Sequence, residues 1–220
     1  HKPDRRQRQM CIRDSEADIQ SIGLIDVSNI TAETNSSGEA EATTDLSVLS
    51  LEISEALEVG GIASFATQTS AKVNVSADNI EGNAISKNNE GLGNAYSLAG
   101  MQLNGLDLES DATFTSVLLD EFNTTAKTVK GDASANTNQS LLGIGFIGEE
   151  NILAGDVTVS SVMSHTSFTE ASSIQGIATA EEKLTAVGVQ VDALDVEGDA
   201  TFSSNAVSYT HLTLPTIRLV

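Results

Sequence analysis

Few side chains in this 220-residue sequence are of a kind that does chemistry. Between residues 16 and 207 there is no Cys, no Arg and a single His, His165, set in Ser164-His-Thr-Ser-Phe168. An imidazole works as a base or a metal ligand beside a nucleophile or a second ligand. The local sequence offers neither, so His165 reads as a surface or turn residue. Paired carboxylates are the next candidates, since two acids flanking a glycosidic bond can act as acid and base. The pairs are Asp120-Glu121, Glu149-Glu150 and Glu181-Glu182. They stand ten, eighteen and five residues beyond the repeat markers described below, and so read as solvated loops rather than as one site.

Two runs place three acids on one face of an extended strand: Asp107, Glu109, Asp111 and Asp195, Glu197, Asp199. Ca²⁺, which favours oxygen ligands, is the ion that would relieve their repulsion. Neither run follows the Gly-Gly-x-Gly-x-Asp nonapeptide or an EF-hand loop, so a solubilising edge is the simpler reading and Ca²⁺ the one cofactor left open. Hydroxyl pairs occur at Thr113/Thr115, Thr158/Ser160 and Thr201/Ser203. A flat ladder of such pairs would suggest an ice-binding surface. If successive half-repeats stack, Ile85/Lys87, Ser134/Asn136 and Thr179/Glu181 interrupt it. Phosphate-binding loops, dinucleotide fingerprints, nucleophile elbows and zinc spacings are absent from the sequence.

A repeat must position all of these residues. Its markers are Ser15, Gly38, Gly61, Gly82, Ser110, Gly131, Gly155, Gly176 and Gly198, spaced 21–28 residues apart. Two residues after each marker the side chain is Ala or Val. Four residues after, large and small alternate: Ile19, Ala42, Phe65, Ser86, Phe114, Ala135, Val159, Ala180, Phe202. Two residues before, an aliphatic recurs at Val59, Ile80, Leu108, Val129, Leu153, Ile174 and Val196. These positions share a period of two, the signature of a strand with one apolar face. The sequence predicts an all-β fold, a parallel β-solenoid of about nine 21–24-residue coils arranged as alternating pairs, in which stacked coils close a continuous core. Stacked antiparallel hairpins are the alternative, disfavoured by the scarcity of Asn-Gly and Asp-Gly turns.

Composition breaks near both ends. Residues 1–15 hold five of the eleven Lys and Arg, and the only Cys, Cys11. The segments around Gln9-Met-Cys-Ile-Arg-Asp-Ser15 and Val207-Ser-Tyr-Thr-His-Leu-Thr-Leu-Pro-Thr216 look like translated sequencing-adapter read-through from a metagenome assembly. We therefore expect 1–15 and 208–220 to be non-native tails around a 16–207 repeat array. That array carries 29 acidic residues against five Lys, a formal charge of −24, which argues against nucleic acid partners. No apolar run reaches the length of a membrane span.

In general character, acidic, Cys-free and rich in Ala, Ser, Thr and Gly, residues 16–207 resemble the long repetitive β-solenoid proteins of bacterial surfaces and phage appendages. The resemblance rests on architecture and composition and carries over no functional residue. It implies a structural or adhesive rod or spacer, extracellular or at a cell surface, without catalytic activity. A phage fibre or other virion segment is the alternative. A glycan-active β-helix enzyme and an ice-binding surface are more distant ones. Glycans or other surface proteins are the partners it suggests, with end-to-end self-association of the array.

Overall fold

The computed structural model describes residues 17–34, 38–45, 48–53, 57–89, 98–148 and 151–213. The chain is all-β. Among these residues fifteen strands assemble into three sheets, and every pair of them is parallel. The antiparallel-hairpin alternative is therefore not what the chain adopts. No helix long and apolar enough to cross a membrane occurs among the described residues.

The first sheet is built from the longest strands, in the order β1 (Ala17–Thr34), β5 (Ala63–Glu81), β9 (Ala112–Lys130), β12 (Val157–Gln175) and β15 (Ala200–Thr213). The second contains β2 (Ala40–Asp45), β3 (Val48–Ile53), β6 (Ala84–Asn89), β7 (Leu98–Leu103), β10 (Ala133–Phe146) and β13 (Ala178–Val191). The third stacks four three-residue strands, β4 (Leu57–Val59), β8 (Leu106–Leu108), β11 (Asn151–Leu153) and β14 (Leu194–Val196).

The register corrects the expected 21–24-residue pairing. Ala17 pairs with Ala63, Ala63 with Ala112, Ala112 with Val157 and Val157 with Ala200. Separately, Ala40 pairs with Ala84, Ala84 with Ala133 and Ala133 with Ala178. Each residue thus meets its counterpart two markers on, 43–50 residues away, and the two half-repeats lie on different sheets. The large/small alternation is the cause. Phe65, Phe114, Val159 and Phe202 form one column, while Ala42, Ser86, Ala135 and Ala180 form another. Stacking Phe on Ala would leave voids where Phe on Phe fills space. The Phe65 and Phe114 rings are parallel at 5.0 Å, with Phe146 edge-on to Phe114 at 5.2 Å.

Strand alternation buries the +2 and +4 residues from Ala40 to Val159, whereas Ala178 and Ala180 are only partly buried and Ala200 and Phe202, on the last strand, are exposed. The −2 residues divide. Val59, Leu108 and Leu153 are buried, whereas Ile80, Val129 and Ile174 face solvent. These three lie at the far ends of β5, β9 and β12, where the marker glycine breaks the alternation. Gly131 there has φ +131, and a Cβ on it would stand 2.4 Å from the carbonyl oxygen of Gly82. Only glycine tolerates both the conformation and the contact.

The core has two lobes. One collects Val73, Leu118, Phe122, Leu141 and Met163; the other collects Phe65, Phe114, Ile144, Phe146 and Leu153. Between them, a Cβ on Gly143 would fall 1.9 Å from the Ser161 hydroxyl, so the two sheets approach closely at that waist.

The expected boundary at residue 207 does not end the last strand. β15 continues to Thr213, with His211 opposite Phe168 on β12. Residues 1–16 and 214–220 lie outside the described residues, as do Glu149-Glu150.

Candidate functional site

His165 is not a surface residue. It sits in the middle of β12, on the inward face, 2% exposed. The pairing of β12 with β9 sets it opposite Asp120, and its Nδ1 lies 2.8 Å from Asp120 Oδ2. Asp120 is likewise inward and buried rather than part of a solvated loop. Glu182, on β13 across the core, brings its Oε1 to 3.9 Å from His165 Nε2, with its side chain also largely buried. Three residues that the sequence scatters are thus gathered between β9, β12 and β13. Their pair partners diverge: Glu121 points outward to the Lys72 ammonium, and Glu181 accepts a hydrogen bond from Asn136.

The environment is apolar, with Phe122, Leu118, Met163 and Leu184 belonging to the same lobe. The Phe122 and His165 rings are 6.1 Å apart. Burial raises the Asp120 carboxyl above its ordinary range, and the hydrogen bond and charge of His165 oppose that rise. Polar neighbours lie further along the same lobe. The Thr137 hydroxyl bonds those of Thr124 and Thr169, at 2.8 and 2.9 Å, tying β10 to β9 and β12. The next inward residue of β10 is Gln139, 1% exposed, whose amide atoms have no protein partner. Asp120 Oδ1, His165 Nε2 and Ser167 Oγ are without one as well. Buried polar atoms are rarely left so.

Among the described residues, no group of three His, Cys, Asp or Glu side chains converges in a metal-binding geometry. The two acidic runs are exposed throughout. Asp107 and Asp195 stand two strands apart, separated by Ile152, about 10 Å at the usual strand spacing. The carboxylate of Asp111 already accepts the Asp156 N–H at 3.0 Å, and Asp156 in turn accepts that of Asp199 at 3.0 Å. Asn83 and Asp132 repeat the device at the other corner. Asp or Asn one residue after a marker thus binds the next corner's backbone.

A second corner device escaped the sequence reading. Three residues before a marker, Asn79, Thr128 and Ser173 donate to the carbonyls of Gly38, Gly82 and Gly131 at 2.7, 2.8 and 2.7 Å. Each closes the backbone of the preceding rank.

The hydroxyl ladder also differs from expectation. Because pairing skips a half-repeat, Ile85, Ser134 and Thr179 lie on another sheet. Ser64, Thr113, Thr158 and Thr201 form one unbroken outward column, and Thr115, Ser160 and Ser203 form another beside it. Lys–Glu pairs bridge successive ranks elsewhere on the outer surface: Lys72–Glu121, Lys87–Glu41, Lys127–Glu170 and Lys130–Glu81.

No protein-family model matches the chain, and neither does any curated protein or solved structure.

Proposed function

We propose that this chain is a β-solenoid segment of a structural or adhesive rod, extracellular or at a cell surface, working by extent and surface rather than by catalysis. The observation that carries the reading is the narrow pairing interval of 43–50 residues across all three sheets. Each turn then comprises one long strand, one second-sheet segment and one three-residue strand. Residues 17–196 make four turns and β15 opens a fifth. At about 4.8 Å per turn the ranks span on the order of 20 Å, and added turns lengthen the body without altering its section.

The non-catalytic part of the proposal is supported by the placement of Asp120 and His165, both enclosed by the core, as is the Ser167 hydroxyl beside them. The array's charge of −24 keeps such bodies soluble and apart, and weak contacts to glycans or surface proteins on successive turns would add through effective concentration. A fibre or other virion segment follows from the same physics. The test is a tandem copy of residues 112–156, one full turn, inserted after Asp156. Solution scattering should show greater length at constant cross-section. A panel of acidic and neutral polysaccharides should show no turnover. An unchanged length, or turnover lost on substituting one carboxylate, defeats the proposal.

A second reading is favoured by the unbroken Thr/Ser columns: an outward hydroxyl face that orders water as an ice plane does. Thermal hysteresis lost in Thr158→Lys would support it, and its absence in the unaltered protein would remove it.

A further inference from the structure

Part of the outer face of the first sheet is free of charge. The outward residues of 64–70 on β5, and those paired with them on β9, β12 and β15, include no charged side chain. They belong to an array with 29 acidic residues against five Lys. Leu119, Val162 and Val207 stand on this face, each about two-fifths exposed. The face is also hollowed. Gly100, Gly143 and Gly188 meet Ser116, Ser161 and Ser204 so closely that a Cβ would not fit, which draws the two sheets together along that line. Just beyond it on the outside, a cavity of about 270 Å³ crosses β5, β9 and β12.

Two ladder columns form its sides: Ser70, Leu119 and Ser164 on one, Lys72, Glu121 and Thr166 on the other. The cleft therefore runs from rank to rank along the stack. Its two charges cancel, with the Lys72 ammonium 3.0 Å from the Glu121 carboxylate. Electrostatics selects the occupant. An acidic glycan would approach an array of charge −24 with only an already paired lysine to receive it. A basic partner gains more at the acidic corners than in a neutral cleft. A second copy would bring two such arrays to about the 10 Å of packed sheets, comparable with the screening length of about 8 Å at physiological salt. A neutral glycan meets none of these penalties. Its CH faces suit Leu119, and its hydroxyls can donate to Glu121 and accept from Lys72, Ser164 and Thr166.

We propose that this cleft binds a neutral, extended polysaccharide lying along the stack, with Leu119 beneath the sugar rings and the Lys72–Glu121 pair along one edge. The proposal rests on the adhesive reading above and gives that reading its ligand class and its place. Ranks recur at about 4.8 Å, close to the length of one sugar unit in an extended chain. Each further turn of the same type lengthens the cleft by one such step, so contacts that are weak singly multiply through effective concentration. The uncharged columns beside the cleft leave room for a broad, flat chain.

The test is affinity electrophoresis of the full chain in native gels cast with hydroxyethyl cellulose, laminarin or galactomannan, and with alginate as the acidic arm. At least one neutral polysaccharide should retard the protein, equally at low and high salt, and alginate should not. Leu119→Glu and Ser164→Lys place charges of opposite sign in the cleft. Each should lower the affinity about 10-fold or more, because the new charge must shed water when the glycan covers it, and each should leave the circular dichroism unchanged. Ser134→Asp, outward on the second sheet, should bind as the unaltered protein does. If Leu119→Glu fails to fold, Ser164→Lys decides the matter. The proposal is overturned if no neutral polysaccharide retards the folded protein, if both cleft variants bind undiminished, or if alginate binds as well. Self-association in sedimentation that Leu119→Glu abolishes would also overturn it, by making the face a contact between copies. None of these results alters the scattering length on which the rod reading depends, so the two fail separately.

Discussion

His165 Nδ1 and Asp120 Oδ2 meet at 2.8 Å although 45 residues separate them, and both side chains are all but inaccessible. They occupy the same offset, ten residues beyond Gly155 and Ser110 respectively, and strand pairing alone brings them together. Breaking such a pair leaves an uncompensated buried group, at a cost of about 3–5 kcal/mol. Asp120→Ala should lower stability by that order in urea denaturation, and a value within error of the unaltered protein would contradict the burial.

The same carboxyl sets a pH dependence. Burial raises the Asp120 carboxyl above the ordinary carboxylate value of 3.8. A group raised on folding takes up a proton as the chain folds. Its contribution is therefore complete below the unfolded value and is lost as pH climbs through the raised one. Asp120→Asn should flatten the stability profile on the neutral side of pH 4. Glu41 and Glu81, lowered by Lys87 and Lys130, act oppositely and lose their contribution as pH falls.

Parity gives a sharper contrast. Ala133 is buried and Ser134 faces outward. Ala133→Asp should cost several kcal/mol, on the order expected for a buried carboxylate, and Ser134→Asp about 0.5 kcal/mol or less. Ala178, one rank on, is only partly buried, so Ala178→Asp should fall between them. Equal losses for Ala133→Asp and Ser134→Asp in thermal melts would reject the strand assignment.

The corner hydrogen bonds are separable from the glycines they serve. Ser173→Ala removes the 2.7 Å bond to the Gly131 carbonyl and should cost about 1 kcal/mol. Gly131→Ala forces a Cβ to 2.4 Å from Gly82 O at φ +131, and should cost more. Reversal of that order in denaturant midpoints would mean that the corner relaxes freely.

How much of this was legible beforehand follows from where each interaction lives. The two-residue period and the large/small alternation are local, so the buried faces of β5, β9, β10 and β12 could be read from Phe65, Phe114, Ala133 and Val159. The pairing interval could not. Both half-repeats carry the same Gly-x-Ala signature, and nothing in that signature tells whether Ala63 sits beside Ala84 or Ala112. The alternation at +4 held the answer, since like stacks best on like. Asp120 and His165 were missed because each was judged against its sequence neighbours. Their shared even offset from a marker, the parity of the buried positions, was the available signal. Asn79, Thr128 and Ser173 share a position but no residue type, and their common role lies in a backbone carbonyl that a sequence does not display.

The narrow pairing interval bears on how the chain comes into being. No ladder to the next rank can close until its partner, 43–50 residues downstream, exists. At a synthesis rate of about 5–20 residues per second, that is a wait of roughly 2–10 s for each rank. During it, the newest long strand can pair with the rank before it but keeps its other edge bare. The acidic outer positions and the scarcity of aromatic side chains, 4% of the sequence, are then a protection for the nascent chain, which must remain unattached to its neighbours on the polysome until its own next strand arrives.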